Sequence, residues 1–463
     1  GLNRARYRAG TVGNRGREIA LPDPADLFPF PLTPAQERVT GEIAADLAAP
    51  YPMARLLQGD VGSGKTAVAV LAMAAVTAGG RQAALMAPTG ILAAQHHRNI
   101  GRILQGVQSA PKPVLLTGET GSKDRRRILA GLADGTVKLV VGTHALFDRG
   151  LKFQDLGLAV VDEQHRFGVM QRAALAGKAG NPDLLVMTAT PIPRTVAMTV
   201  YGDLDLSVLD ELPPGRQPVE TLVRGEKDRK KVYLGMREAV ERGRQVFIVV
   251  PRVEEEQGRR LKSATGLARR LARDVFPDLT VGLLHGRLPA EEKSAVMERF
   301  RNGSLSILVA TTVVEVGLDV PNATVMVVED SDRLGLAQLH QLRGRVGRGG
   351  GRSYCILMNG EGPDRQAALE RLAVIAGTGD GFQVAEQDLL LRGPGSLLGV
   401  EQHGPGDLWF VRQAVARPDL LAEARSEAGR LLAADGGSLQ AAEQVLARLP
   451  AAWRSRLRIG RIG

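Results

Sequence analysis

The stretch GDVGSGKT, residues 59–66, indicates the fold class of this chain. It matches the phosphate-loop pattern G-x-x-x-x-G-K-[ST] at every required position, follows the apolar pair Leu56-Leu57 and opens a helical pattern. Backbone N–H groups in such a loop surround phosphate oxygens, and the helix N-terminus adds positive potential. In that role Lys65 contacts the β- and γ-phosphates and Thr66 contacts magnesium. The alternative is a glycine-rich turn before a helix.

Short apolar runs alternate with helical patterns on both sides of this loop. Five runs are typical of buried parallel strands and lie at 55–58, 82–87, 137–142, 156–161 and 183–188. After a proline-rich linker at 209–220, five more follow at 245–250, 280–284, 305–310, 324–329 and 353–358. This alternation predicts two α/β domains with parallel sheets. The domains expected are an extended lead-in at 1–30, a first lobe at 31–215, a second lobe at 216–370 and a helical region at 371–463.

The composition permits several functions and excludes others. The 463 residues carry 60 Lys+Arg against 50 Asp+Glu, a net charge of +10, which permits nucleic-acid binding without establishing it. With 44% hydrophobic and 24% charged residues the chain is typical of globular proteins. No apolar run reaches the roughly 18 residues of a membrane helix. The single cysteine, Cys355, excludes an internal disulfide, and these features together predict a cytoplasmic protein.

Two adjacent carboxylates end the apolar run at 156–161. Asp162 and Glu163 stand in VVDEQH, residues 160–165, about 100 residues after the phosphate loop. An aspartate at the end of such a strand suits magnesium, and the glutamate beside it can polarise the attacking water. His165 is placed to sense the γ-phosphate. The alternative is a solvated acidic turn after a strand.

A cluster of arginines lies in QLRGRVGR, residues 341–348. Phosphoryl transfer needs positive charge at the γ-phosphate, and arginine fingers that supply it contribute roughly 10³–10⁵ in rate. Supply from a second domain makes hydrolysis depend on domain closure. The alternatives are a basic surface loop or contacts with a nucleic-acid backbone, and the arginines can do both jobs on different faces.

These stretches together resemble the motifs of superfamily 2 helicases. LTPAQ at 32–36 is similar to the Q motif of that superfamily, and the further matching motifs are APT at 87–89, GTH at 142–144, MTAT at 187–190 and ATTVVEVGLD at 310–319. Three longer stretches are similar to one branch of that superfamily, which holds the RecG helicases and the transcription-repair coupling factor Mfd. They are DEQHRFG at 162–168, TATPIPRT at 188–195 and LGLAQLHQLRGRVGR at 334–348. The phosphate loop, Gln164 and DLLLRGPG at 388–395 fit the RecG-type helicases better. The resemblance covers about 28–405.

The resemblance implies two RecA-like lobes and a role for each matching residue. The catalytic residues implied are Lys65, Asp162, Glu163, Arg345 and Arg348. The ATP-binding residues implied are Phe30, Gln36, Gly59, Gly62, Ser63, Gly64, Lys65, Thr66, Gly317, Asp319 and Gln341, with Thr66 and Asp162 holding magnesium. The residues implied in coupling are His165, Thr188, Thr190 and Arg392, and those implied in DNA binding are Thr89, Thr143 and Thr311. The segment at 378–392 resembles the TRG region, whose helical hairpin couples lobe closure to movement on duplex DNA.

The function implied is that of an ATP- and magnesium-dependent translocase on double-stranded DNA. Such a motor remodels branched DNA, namely stalled forks and Holliday junctions, in recombination and repair. We expect a monomer associated with the nucleoid, with single-stranded-DNA-binding protein as a further partner and no membrane. Only about 30 residues precede the first lobe, so we expect the motor portion without the N-terminal wedge domain of such helicases.

Three other functions remain open at this stage. An Mfd-like motor would carry a polymerase-binding module, and the sequence shows none. An RNA helicase would not need the TRG-like segment. An ATP-gated DNA-binding clamp without productive hydrolysis would not need Glu163, Arg345 and Arg348.

Overall fold

The computed structural model describes two α/β units. The described residues are 21–107, 110–147, 150–162, 182–189, 204–251, 263–311, 320–349, 351–360 and 365–392, with 417, 419, 420, 423, 424, 426 and 427. The first unit contains those up to Gly59, those from Ser63 to Glu211 and those beyond Leu397. The second unit contains Asp60–Gly62 and those from Leu212 to Leu397. No helix among the described residues is both long and apolar enough to cross a membrane.

A seven-stranded parallel sheet forms the centre of the first unit. Its strands are β1 (Ala54–Gly59), β2 (Gln82–Met86), β3 (Val114–Leu116), β4 (Leu139–Gly142), β5 (Leu156–Asp162), β6 (Asp183–Thr188) and β7 (Asp205–Leu209). They lie in the order β3-β4-β2-β5-β6-β1-β7. The five strands predicted in this part of the sequence are all present, as β1, β2, β4, β5 and β6, while β3 and β7 were not predicted.

Helices cover this sheet and bury its apolar runs. They are α1 (Pro24–Leu27), α2 (Pro34–Ala48), α3 (Lys65–Ala78), α4 (Gly90–Leu104) and α5 (Ser122–Asp134). Helix α3 is apolar on nearly every side and packs on β2 and β5, as expected for a helix inside the core. Helix α5 places Ile128 and Leu132 in a cluster with Val140 and Leu156 of the sheet. Full burial of each such side chain contributes about 1.5–3 kcal/mol.

A six-stranded parallel sheet forms the centre of the second unit. Its strands are β8 (Val219–Arg224), β9 (Gln245–Val249), β10 (Val281–Leu284), β11 (Ile307–Ala310), β12 (Ala323–Val328) and β13 (Ser353–Met358). They lie in the order β10-β11-β9-β12-β13-β8. The five predicted strands are present, and β8 extends the sheet from a stretch that begins inside the predicted linker at 209–220. Two parallel-sheet units confirm the predicted fold class.

The helices of the second unit are α6 (Arg229–Glu241), α7 (Ala264–Arg270), α8 (Ala290–Arg301), α9 (Leu336–Arg343), α10 (Arg365–Gly377) and α11 (Gly381–Arg392). Helices α10 and α11 are joined by the three residues 378–380, and both pack on α9. They occupy the segment that resembles the TRG region. The coupling role implied for that segment stays a prediction.

Candidate nucleotide-binding site

The phosphate loop joins β1 to α3 in a conformation that requires glycine. Gly62 and Gly64 have φ of 83° and 85°, in the left-handed region that disfavours other residues. A Cβ on Gly64 would also collide with the Gln36 side-chain amide. Among the described residues no side chain caps α3, which begins directly after the loop, so the positive end of the helix dipole faces the loop without a capping group.

Two side chains of the loop suit a bound phosphate. Lys65 is buried, and its Nζ donates to the Gly59 carbonyl oxygen at 2.8 Å. Ser63 is fully buried, and its Oγ has no hydrogen-bond partner among the described residues. Thr66, one residue into α3, is half-buried. The donors at the loop therefore fit nucleotide phosphates. They are the Lys65 ammonium, the Ser63 hydroxyl and the N-terminus of α3.

Gln36 contacts the loop from helix α2. Its Oε1 accepts from the Thr33 backbone N–H at 3.0 Å, completing a capping box, and its Nε2 donates to the Ser63 carbonyl oxygen at 2.9 Å. Gln36 therefore ties α2 to the phosphate loop, and the adenine contact predicted for its amide stays a prediction. Phe30 stacks on Phe28 with ring centroids 5.5 Å apart and leaves half of its surface exposed, as an aromatic partner for adenine requires.

Asp162 is the last residue of β5 and lies at the same sheet edge as the loop. The register pairs Asp162 with Met187 and Gln58 with Thr188, so β6 separates Asp162 from β1. At two strand spacings its backbone is about 10 Å from that of β1. Its Oδ2 lies 2.8 Å from His96 Nε2 on helix α4. Thr188, which ends β6, is buried between Asp162 and the loop.

The three threonines predicted to bind DNA follow strand ends but differ in exposure. Thr89 follows β2, is half-buried, and its Oγ1 caps α4 by accepting from the Leu92 N–H at 3.3 Å. Thr143 follows the neighbouring strand β4 with its side chain buried. Thr311 follows β11 of the second unit, and its Oγ1 is buried without a hydrogen-bond partner among the described residues. Thr89 is thus the most accessible of the three, and the DNA contacts stay predictions.

The arginine cluster of the second unit lies at the end of α9 and in the residues that follow it. Arg343, the last residue of the helix, donates to the carbonyl oxygens of Ile375, Thr378 and Gly379 at 2.8, 2.6 and 3.0 Å. Gln341 and Arg345 are buried, whereas Arg348 is half-buried with its Nε 3.5 Å from the Gly344 carbonyl oxygen.

Some predicted site residues lie outside the described residues, and their roles stay predictions. They are Glu163, His165, Thr190, Gly317 and Asp319. Arg392 ends helix α11, and its predicted coupling role is likewise untested.

Two residues with defined contacts, one in each unit, were not assigned a role from the sequence. Arg343 stands inside the quoted arginine motif but was given no role of its own. His96 was not singled out, although the sequence carries a signal for it. Helix α4 presents Leu92, Ala93, Ile100 and Leu104 to the core, and His96 is the polar residue on that buried face. A histidine in an apolar stripe needs a polar partner.

Comparisons with known proteins agree with this architecture. The family model for DEAD/DEAH box helicases matches residues 33–199, and the helicase conserved C-terminal domain matches 230–350. The fold and the phosphate loop therefore define a helicase with two RecA-like lobes. A third model, ATP-dependent DNA helicase RecG, domain 3, C-terminal, matches 378–454.

Individual relatives show to which family of helicases the chain is similar. The ATP-dependent DNA helicase RecG of Synechocystis is 51% identical over 413 residues, which are 89% of this chain and 49% of the relative. The Thermotoga maritima protein of the same name is 50% identical over 81% of this chain and 48% of its own length. A structure of RecG bound to a three-way DNA junction matches with a TM-score of 0.70 and 42% identity, covering 91% of this chain and 55% of that one. The chain belongs to the RecG family of ATP-dependent DNA helicases, and it spans about half the length of these curated relatives.

Proposed function

We propose that the chain is an ATP-driven motor that moves on double-stranded DNA and remodels branched DNA. One observation carries the proposal: the phosphate loop and Asp162 lie at the same edge of one parallel sheet, in a chain about half identical to RecG helicases. Carboxyl ends of parallel strands are where such sheets bind ligands. The structure of RecG on a three-way DNA junction supports branched DNA as the substrate.

In this proposal the loop binds the nucleotide through groups already placed for it. The α3 amides, Ser63 Oγ and Lys65 Nζ bind phosphate oxygens, and Lys65 exchanges the Gly59 carbonyl for the β- and γ-phosphates. Phe30 and Gln36 contact adenine. Thr66 and Asp162 are the residues that would hold Mg²⁺, which neutralises phosphate charge when bound.

Hydrolysis in this proposal needs two further contributions. Glu163 accepts the proton of the attacking water, as the carboxylate beside the metal-holding aspartate. Arg345 and Arg348 supply the positive charge that stabilises the transferring phosphoryl group. We assign Gly317, Asp319 and Gln341 to nucleotide binding and His165, Thr188, Thr190 and Arg392 to coupling, following the resemblance.

DNA binding in this proposal is independent of base sequence. Thr89, Thr143 and Thr311 contact backbone phosphates, so that affinity falls with rising salt. We further propose that the motor acts as a monomer and that single-stranded-DNA-binding protein is a partner.

The test is the ATPase rate with no nucleic acid, duplex DNA, forked DNA and RNA at one fixed salt concentration. We expect stimulation by duplex and forked DNA, absence of stimulation by RNA, and loss of turnover in Lys65→Ala under every condition. Stimulation by RNA alone would instead identify an RNA helicase. DNA binding that depends on ATP without any turnover would identify an ATP-gated clamp.

A displacement assay separates the remaining alternative. A triplex-forming strand on duplex DNA reports translocation, and a stalled RNA polymerase reports Mfd-like pushing. We expect ATP-dependent displacement of the triplex strand and an undisturbed polymerase. Removal of the polymerase would favour the transcription-repair coupling motor.

A further inference from the structure

His96 contacts the carboxylate that the proposed function assigns to magnesium. Its ring is buried on the core-facing side of α4, and Nε2 lies 2.8 Å from Asp162 Oδ2. Since a carboxylate only accepts hydrogen bonds, Nε2 carries the hydrogen and donates it to Oδ2. The link joins two elements that the chain separates by 66 residues.

Packing alone does not explain a histidine at this position. The other ring nitrogen, Nδ1, is buried and has no hydrogen-bond partner in the part of the chain that the structure describes. Burial of a polar ring with one nitrogen unpaired is unfavourable, and a leucine would complete the apolar face of α4. The contact with Asp162 is therefore the interaction that a leucine could not supply.

We propose that His96 is a positioning residue for Asp162. Its N–H holds Oδ2 in one direction and so restricts the rotation of the carboxylate at the end of β5. This inference rests on the proposed function, in which Asp162 holds Mg²⁺. Hydrogen-bonded partners of metal-binding carboxylates fix the orientation of the ligand, and their loss costs 10–100-fold in metal affinity or activity.

The position of His96 on α4 also relates its contact with Asp162 to the predicted DNA contact of Thr89. His96 lies seven positions after Thr89, about 10 Å along the helix, so one rigid element carries both the predicted DNA contact and the hold on Asp162. Because both residues lie on this helix, any shift of α4 at Thr89 would also move the donor that orients Asp162.

Three variants test the positioning role. His96→Leu removes the donor and keeps the apolar bulk, and His96→Gln returns an N–H near the position of Nε2. His97→Leu is the matched control, because His97 is the next residue on α4 and its Nε2 contacts the Pro113 carbonyl oxygen at 3.0 Å instead. The measurements are the affinity for a fluorescent ATP analogue with and without Mg²⁺, and the Mg²⁺ concentration at half-maximal ATPase.

We expect His96→Leu to raise the half-maximal Mg²⁺ concentration about 10–100-fold and to leave Mg²⁺-free analogue binding unchanged. His96→Gln should restore most of the loss, and His97→Leu should behave as wild type. Equal weakening of analogue binding with and without Mg²⁺, or wild-type Mg²⁺ dependence in His96→Leu, would overturn the proposal. If His96→Leu fails to fold by circular dichroism, His96→Asn takes its place, since its shorter amide cannot reach Oδ2 and should show the same loss.

The two proposals fail in different ways. A wild-type chain whose affinity for the ATP analogue does not respond to Mg²⁺ would contradict the proposed function. A wild-type chain that responds normally, together with a His96→Leu variant that responds equally, would contradict the positioning role alone.

Discussion

Arg343 donates from its guanidinium to the Gly379 carbonyl oxygen at 3.0 Å, at the turn between α10 and α11. The same side chain reaches the carbonyl oxygens of Ile375 and Thr378, so one planar fork binds three acceptors at the end of α10 and in the turn. Burial lowers the pKa of Arg343, yet arginine stays protonated over the physiological range. The helix pair is thereby fixed to the motif that contains Arg345 and Arg348.

We expect Arg343→Met to destabilise the second unit by about 1.5–3 kcal/mol, since it leaves carbonyl oxygens without a charged donor. Arg343→Lys should recover only part of the loss, because an ammonium cannot reproduce the fork. Urea unfolding measures the free energy, and hydrogen exchange of the amides at 375–382 locates the effect. The control is Arg352→Met, at an exposed position. Equal stability of Arg343→Met and the control would show that these hydrogen bonds do not hold the turn.

Lys65→Ala should lower ATP turnover at least about a hundredfold, as expected when a preorganised charge at a reacting phosphate is removed. The buried ammonium already bonds the Gly59 carbonyl inside the loop. Lys65→Arg keeps the charge but enlarges the head group in a buried place, so we expect little rescue. Steady-state phosphate release measures both variants. Turnover near wild type in Lys65→Ala would refute the assignment of the loop as the ATP site.

Arg348→Ala should reduce turnover far more than ATP affinity. An arginine that acts on the transferring phosphoryl group contributes about 10³–10⁵ in rate and little to ground-state binding. Single-turnover hydrolysis and ATP-analogue binding separate the two quantities. Equal losses in rate and affinity would instead make Arg348 a nucleotide-binding residue.

The central strands of both sheets were predicted from the sequence, and three strands at sheet edges were not. The five predicted runs of the first unit are buried on both faces, which gives near-continuous apolar stretches. The missed strands β3, β7 and β8 all lie at sheet edges. Strand β8, for example, reads VETLVR and is mostly half-buried, so its pattern is mixed and it adjoins a proline-rich stretch. An edge strand forms because a neighbour offers hydrogen bonds, which a local sequence pattern does not record.

The part of the candidate site that has a fixed residue spacing was predicted from the sequence. The contacts between residues that are far apart in the chain were not. The phosphate loop has a fixed spacing because only glycine tolerates the backbone at Gly62 and Gly64. The contact between His96 and Asp162 depends on the packing of α4 against the sheet, so the sequence spacing of the two residues does not predict it. The link from Gln36 to the Ser63 carbonyl is of the same kind, since 27 residues separate the partners.

A buried ion network in the second unit provides a stability prediction. Arg229 binds Glu329 at 2.6 Å and Glu226 at 2.6 Å, and the Arg229 and Glu329 side chains are 9% and 2% exposed. Burial opposes the charge, but the hydrogen bonds that Arg229 donates to Glu226 and Glu329 prevail and raise the pKa of Arg229. Arg229→Met should therefore cost about 3–5 kcal/mol, because it leaves Glu329 buried and uncompensated.

The double variant Arg229→Met with Glu329→Leu should lose less stability than Arg229→Met alone, since no charge is then left buried without a partner. Urea unfolding of both single variants and of the double variant gives the coupling energy. Arg237→Met, which removes the half-buried partner of the exposed Asp278, is the control for loss of an arginine from a less buried ion pair. Additive losses at Arg229 and Glu329 would show that the two side chains do not depend on each other.

Stimulation of the ATPase by DNA tests whether α4 connects the two proposed sites. Thr89→Ser keeps the oxygen that caps α4, whereas Thr89→Val removes it and should weaken both the cap, by about 1 kcal/mol, and the phosphate contact. We expect Thr89→Val and His96→Leu each to lower the ratio of DNA-stimulated to basal turnover. The double variant should lower it no further than the stronger single variant, because both changes interrupt the same path through one helix. Turnover at saturating duplex DNA and Mg²⁺ measures the ratio, and multiplicative losses would mean that Thr89 and His96 act independently.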